Sequence, residues 1–147
     1  MSGASAEVLL RQLISDSERE LVENYIRTVA SSVEGKSFWI AGQPFGWYDT
    51  PADEEEHAPD ILGLRPRGVV GVYAGCRGPV SDAYLAMLVA RIAQELDGVV
   101  ALGGHIESFP DDGIFITSGR FEGKDGDYVT PEFLHYWIGH PNFRMIN

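Results

Sequence analysis

The sequence predicts a single α+β domain, and three observations lead to this fold class. Its 147 residues, 44% of them hydrophobic, suffice for one core but not for two ordinary domains. Residues 16–33 and 81–98 each repeat apolar side chains at the spacing of an amphipathic helix. Short β-branched or aromatic runs bounded by glycine lie between and after them, as expected for strands. We therefore expect one domain over residues 1–147.

The first half of the chain predicts a helix with a short strand on either side. Ser15 and Glu18 have the spacing of a capping box, which starts the helix predicted over residues 16–33. Residues 7–14 fit either a strand or an extra helical turn, and we favour the strand. Residues 37–41, Ser-Phe-Trp-Ile-Ala, are short, aromatic and followed by glycine, a pattern typical of a buried strand.

The middle of the chain predicts a long acidic loop and then a second strand, helix and strand. Residues 42–67 lack periodicity and are rich in proline, glycine and acids, which predicts an acidic surface loop inserted into the domain. The β-branched run 69–74 is the clearest strand. Ser81 or Asp82 can cap the helix that follows, and residues 99–102 form the next strand-like run.

The resulting order is strand, helix, strand, strand, helix, strand. This βαββαβ order is that of the ferredoxin-like fold, an antiparallel sheet with its helices on one face. Residues 105–147 form a C-terminal extension, with strands expected at 113–117 and 127–129. Thr130 as a cap and proline directly after it predict a short final helix.

Composition restricts the classes of function. The chain has 22 Asp and Glu against 11 Lys and Arg, a net charge of −11 that is unfavourable for binding nucleic acid. Apolar runs are shorter than the roughly 18 residues of a membrane span, and Met1 to Glu7 lack the pattern of a signal peptide. Cys76 is the sole cysteine, so no internal disulfide is possible. We expect a cytoplasmic protein without membrane contact.

Histidines and carboxylates are the side chains of this sequence that could serve as catalytic or metal-binding groups. His105 and Glu107 would point to the same side of an extended chain, with Asp111 nearby, and could form a hydrolytic or metal centre. A solvated loop is the interpretation that we favour. His135 and His140 are five residues apart and do not share a helix face as a zinc pair would. We predict no catalytic residue, metal or cofactor.

The acidic loop is the stronger functional signal. Trp47, Tyr48 and Asp49 follow Phe45 and lead into the acidic run Asp53, Glu54, Glu55 and Glu56. Aromatic anchors beside acids are typical of a surface that binds a basic protein. We therefore predict partner binding by residues 47–49 and 53–56. The alternative is that the aromatic side chains pack the loop onto the core while the acids keep it solvated.

Three segments resemble a family of uncharacterised small proteins common in actinobacteria. These are Gly-Trp-Tyr-Asp at 46–49, Ala-Gln-Glu-Leu-Asp-Gly-Val-Val at 93–100 running into Leu-Gly-Gly at 102–104, and His-Pro-Asn-Phe-Arg-Met-Ile at 140–146. The resemblance covers most of the chain from Phe38 onward and implies no catalytic residue. As a small acidic α+β protein, the chain is also similar in type to immunity proteins that neutralise secreted bacterial toxins.

Three functions follow as hypotheses. The first is a non-enzymatic binding domain, an immunity protein that caps a basic toxin domain such as a nuclease. The alternative is a small-ligand sensing or regulatory module, monomeric or homodimeric through its open sheet face. A hydrolase that uses His105, Glu107 and Asp111 is the third.

Overall fold

The computed structural model describes residues 3–52, 65–106, 119–123 and 126–145, and these residues form three helices and eight strands. The helices are α1 (Asp16–Val29), α2 (Pro79–Leu96) and α3 (Pro131–Ile138). The strands are β1 (Ser5–Leu10), β2 (Ser32–Glu34), β3 (Ser37–Ile40), β4 (Gln43–Pro51), β5 (Gly68–Ala74), β6 (Val99–Ala101), β7 (Arg120–Glu122) and β8 (Asp127–Val129).

All eight strands belong to one antiparallel sheet. Their order is β2-β3-β4-β5-β1-β6-β8-β7, and every neighbouring pair runs antiparallel. The predicted α+β class with an antiparallel sheet is therefore confirmed. The predicted number of strands is too small, because the sequence does not reveal the short edge strands β2 and β7 or the longer strand β4.

The sheet has a thick core on one face and a thin apolar layer on the other. Side chains from alternate positions of β1 and β5 pack with buried residues of all three helices in one cluster. The opposite face, which we call the open face, has a second and smaller cluster made of Leu9, Val69, Val99, Ala101 and Tyr128. All three helices thus cover the same face, as the sequence predicts for the first two.

Several predicted elements are confirmed with small shifts at their ends. The ambiguous segment 7–14 is a strand in its first half, since β1 covers Ser5–Leu10. Helix α2 starts earlier than predicted, with Gly78 as its N-cap and Pro79 in the first turn. Ser81 is therefore not a cap; its buried hydroxyl donates to Gln43 Oε1 at 2.9 Å.

The predicted helix over residues 16–33 is too long. Helix α1 ends at Val29, where Ala30 has an extended backbone and its N–H still bonds to the Ile26 carbonyl. Residues 32–34 form strand β2 instead, in register with β3 across a turn at Gly35. The β-branched Val33 fits the helical spacing of the sequence equally well, but pairing with Phe38 decides its conformation.

The prediction of a continuous surface loop over residues 42–67 is wrong for its first part. Residues 43–51 form β4, the longest strand, with β3 on one side and β5 on the other. Its alternation is hidden in the sequence because glycine, proline and aspartate stand at positions where a strand usually has β-branched residues. Residues 53–64, with the acidic run, and the predicted strand 113–117 lie outside the described residues.

Candidate functional site

Strand β4 divides the predicted partner-binding residues between the two faces of the sheet. Trp47 and Asp49 point to the helix-covered face, opposite Val72 and Val70 of β5, whereas Tyr48 points to the open face opposite Gly71. The prediction that these aromatic side chains cluster on a loop is therefore wrong, because they lie in a strand and point to opposite faces of the sheet. That residues 47–49 and 53–56 bind a partner stays a prediction.

The Trp47 side chain belongs to the core and is only 3% exposed. Lys36 Nζ lies 3.9 Å from the centroid of its ring, a cation–π contact. Trp47 also borders a cavity of about 390 Å³ beside Ile26 of α1 and the turn between β2 and β3. The indole therefore anchors β4 to α1. This is the packing role that the sequence offers as the alternative to partner binding.

The Asp49 carboxylate is held between two cations. Arg19 of α1 donates from Nε at 3.2 Å and from Nη2 at 3.1 Å, and Lys36 Nζ donates at 3.1 Å. The hydrogen bond from Arg19, assisted by Lys36, holds the pKa of Asp49 below its ordinary value. The same pair raises the pKa of Arg19. Asp49 thus ties β4 to the first turns of α1.

Tyr48 and Tyr73 are the exposed aromatic side chains at the centre of the open face, with 39% and 44% of their surface accessible. Each ring covers the glycine that pairs with it on the neighbouring strand. A Cβ atom added to Gly71 would collide with the ring of Tyr48, and one added to Gly46 would collide with the ring of Tyr73. Tyr48 donates its hydroxyl to Glu7 Oε2 at 3.1 Å.

A second polar cluster surrounds Asp127, which sequence reasoning missed. Its carboxylate is fully buried and accepts hydrogen bonds from the Ile106 amide at 2.8 Å and from Arg120 Nε at 3.1 Å. Arg120 Nη2 lies 2.9 Å from the same oxygen, and His105 Nδ1 lies 3.2 Å from the other. A buried carboxylate with this many donors fixes the chain around it.

His105 therefore pairs with Asp127, a residue 22 positions further along the chain. Glu107 and Asp111, its predicted neighbours, lie outside the described residues. Within residues 3–52, 65–106, 119–123 and 126–145, no group of three or more His, Cys, Asp or Glu side chains could hold a metal ion. The only sequence signal for Asp127 is an acid at the start of a short strand whose other residues are Tyr128 and Val129, and that pattern does not identify its partner.

The groove between α1 and α2 contains a cavity of about 360 Å³. Its walls are mainly apolar, with Leu21 and Tyr25 from α1 and Ile92 and Leu96 from α2. Arg91 lies over the Tyr25 ring at 5.2 Å from the centroid and pairs with Glu95 at 2.8 Å. Burial raises the pKa of Tyr25, an effect that the charge of Arg91 opposes.

The remaining candidates have simple environments. Cys76 is exposed at the end of the β5 region. His135 is exposed on α3, and the His140 ring lies 5.2 Å from the Trp137 ring, centroid to centroid, in a tilted arrangement. Among the helices of the described residues, none combines the length and apolar character that a membrane crossing requires.

Comparison with known proteins yields one match. A family model described as a family of unknown function, DUF6368, matches residues 2–147. Neither the curated proteins nor the solved structures include a significant match to the chain.

Proposed function

Because the chain belongs to the DUF6368 family of unknown function, we propose a function from its charge and surface: a non-enzymatic domain that binds a basic protein. Opposite charge speeds association and selects the partner, and exposed aromatic rings supply contact area. Both features are found in the chain, in different parts of it.

The observation that carries the proposal is the uneven distribution of charge. Residues 53–64 and 107–118 contain eight acidic side chains and neither lysine nor arginine, and so account for eight of the eleven excess negative charges. Six of the ten Lys and Arg side chains that the structure describes pair with acids of the same chain, as in Arg19 with Asp49 and Arg91 with Glu95. Such internal pairs neutralise one another, so the acidic segments dominate the field that a partner meets.

The predicted contact residues have different roles in this proposal. Tyr48, which is exposed, and residues 53–56 would meet the partner. Trp47 and Asp49 would hold β4 in place from the core side through Lys36 and Arg19. All the predicted residues thus keep a role, but only Tyr48 and residues 53–56 would contact the partner, whereas Trp47 and Asp49 would support strand β4.

The class of partner that we favour is a basic toxin domain, such as a nuclease, which would make the chain an immunity protein of the cytoplasm. An acidic surface can occlude a cleft that normally holds phosphates. The single cysteine suits a reducing compartment. An actinobacterial source is part of the same proposal, supported by nine arginines against two lysines.

We also propose that the centre of the domain is a ferredoxin-like unit formed by β1, α1, β4, β5, α2 and β6. The support is the spatial order β4-β5-β1-β6, in which the first strand of the unit lies between its third and fourth strands. The β2–β3 and β7–β8 hairpins and α3 would then be additions at the two edges.

The test uses the product of the gene immediately upstream as the candidate partner. Binding is measured by surface plasmon resonance at several salt concentrations, for the wild type and a variant with residues 53–56 changed to Asn and Gln. We expect the variant to associate several-fold more slowly at low salt, and the difference to shrink as salt screens charges beyond about 8–10 Å.

The control variant changes Glu132 to Gln, one exposed acid on α3, and should leave the rate nearly unchanged. Equal, salt-independent rates for the wild type and the four-residue variant would refute charge steering. Absence of any complex would refute this choice of partner, and absence of binding across a panel of basic nuclease domains would refute the proposed function.

A small-ligand module is the second candidate, and the cavity between α1 and α2 favours it. Its volume of about 360 Å³ and apolar walls suit a small organic molecule. The hydrolase hypothesis rests on His105, whose described carboxylate partner is Asp127. Saturable binding of small organic compounds that shifts the amide signals of Tyr25 and Leu96 would place the ligand module first.

A further inference from the structure

The two tyrosines of the open face form a flat surface because glycines lie beneath them. In the β4–β5 register, Gly46 pairs with Tyr73 and Tyr48 pairs with Gly71, so the two rings lie diagonally next to each other. The atoms that a Cβ on either glycine would meet are the hydroxyl oxygen and two ring carbons of the tyrosine.

This contact pattern shows where each side chain lies. The atoms closest to such a Cβ are Cζ, the hydroxyl oxygen and one Cε carbon, so the hydroxyl end of each ring lies over the glycine of the neighbouring strand. Each tyrosine side chain therefore lies across the sheet rather than standing upright on its own strand. The exposed fractions of 39% for Tyr48 and 44% for Tyr73 agree with this orientation.

A carboxylate borders the two rings. Glu7 of β1 pairs with Gly71 in the β1–β5 register, and its Oε2 accepts the Tyr48 hydroxyl at 3.1 Å. The π face of an aromatic ring carries partial negative charge, and the carboxylate adds a full one. Two ring faces and a carboxylate within one small surface favour a cation.

We propose that Tyr48, Tyr73 and Glu7, here called the tyrosine platform, bind an arginine side chain of the partner. A planar guanidinium can stack on a ring while its N–H groups bond to the carboxylate, and the compact ammonium of lysine cannot do both as well. The inference rests on the proposed function, since it specifies how a basic partner is recognised. In this proposal the open face, rather than the acidic segments, is the part of the surface that selects arginine over lysine.

The test compares two peptides of equal charge, hexa-arginine and hexa-lysine, so that general attraction to an acidic protein cancels. Fluorescence anisotropy with labelled peptides gives both dissociation constants at physiological salt. We expect the wild type to bind hexa-arginine about two- to fivefold more tightly than hexa-lysine. The amide signals of Gly46 and Gly71 in NMR titrations should shift saturably with hexa-arginine.

The variant Tyr48→Leu/Tyr73→Leu removes both ring faces but keeps apolar side chains over the glycines. Its arginine-to-lysine preference should fall to about one, after circular dichroism has confirmed that it folds. The matched control is Phe121→Leu, which removes an exposed ring from β7, the strand at the far edge of the same sheet. This variant should preserve the preference.

Equal affinity of the wild type for both peptides, or an unchanged preference in the double variant, would overturn the platform. Peptide binding that leaves the Gly46 and Gly71 signals unmoved would do so as well, and this result needs no variant. If the upstream partner still binds the double variant with wild-type affinity, the platform fails while the proposed function stands. If basic proteins do not bind at all, the proposed function itself fails.

Discussion

Neighbouring residues of β4 have opposite environments because side chains alternate along a strand. Trp47 is 3% exposed and Tyr48 is 39% exposed, although both are large aromatic residues next to each other in the chain. Asp49 returns to the side of Trp47 and meets Arg19 and Lys36. At the residue scale, strand alternation separates the side chains that support the strand from the core side from the one that is exposed on the open face.

Trp47→Ala is expected to destabilise the fold by about 3–5 kcal/mol, the usual cost of truncating a buried Trp or Phe. Guanidinium titration of the free energy of unfolding tests this expectation. Trp39→Ala on β3 is the matched control, because its half-buried ring leaves a smaller void. If the two substitutions cost the same, Trp47 does not anchor the strand.

The lowered pKa of Asp49 predicts a dependence of stability on pH. As the pH falls, the unfolded chain protonates first, near the ordinary value of about 3.9, while the folded carboxylate stays charged beside Arg19. The stabilisation is therefore complete at neutral pH and is lost as the pH falls through the depressed folded-state pKa.

Urea titrations of the wild type and Asp49→Asn at pH 7, 5 and 3 measure this contribution. The difference in stability should be largest at pH 7 and shrink by pH 3. Asp97→Asn is the control, because this acid pairs with Arg11 at 3.6 Å on the surface, with 91% of its side chain exposed. A difference for Asp49 that stays constant with pH would contradict the assigned cause.

At the scale of elements, the two long helices are specified locally and the edge strands are not. Ser15 and Glu18 form the predicted capping box at the start of α1, and both halves of the box are present. The end of the same helix depends on β3, because a backbone carbonyl of β3 accepts a hydrogen bond from the Ser31 amide and β3 pairs with β2. The start of α1 can thus be predicted from a few neighbouring residues, whereas its end required a tertiary partner. The start of α2 is at Gly78 rather than at the predicted Ser81 or Asp82, so local capping signals did not locate it.

Helix α2 offers a test of its predicted buried side. Leu88 is 2% exposed and Met87, its neighbour, is 47% exposed. Leu88→Ala should cost about 2–5 kcal/mol, and Met87→Ala should stay within about 0.5 kcal/mol. Denaturant titration of both variants measures the contrast, and a loss below half a kcal/mol for Leu88→Ala would show that this side of α2 is not core.

At the scale of the whole molecule, Asp127 joins segments that are far apart in sequence. Its carboxylate bonds to His105 and Ile106, in the segment that follows β6. The same carboxylate bonds to Arg120 of strand β7. Within the predicted extension 105–147, the described strands β7 and β8 therefore belong to the same sheet, since β8 pairs with β6, and α3 packs with α2 in one cluster.

Asp127→Ala should destabilise the molecule by about 3–5 kcal/mol, because it leaves Arg120 and a buried amide without their acceptor. Chemical denaturation gives the cost, and hydrogen exchange should report faster exchange at the Ile106 amide. Glu23→Ala, which breaks the exposed pair with Arg27 on α1, is expected to cost no more than about 1 kcal/mol. Similar costs for the two variants would refute the structural role of Asp127.

Local sequence determined the fold class, the two long helices and the strands at 37–40, 69–74 and 99–101, since hydrophobic periodicity and capping act over short distances. Its prediction that residues 47–49 bind a partner stays a prediction. Tertiary structure alone decided that β4 is a strand, that Trp47 lies inside while Tyr48 lies outside, and that Asp127 meets His105. These outcomes depend on strand register and on contacts between distant segments, and neither is encoded in the spacing of nearby residues.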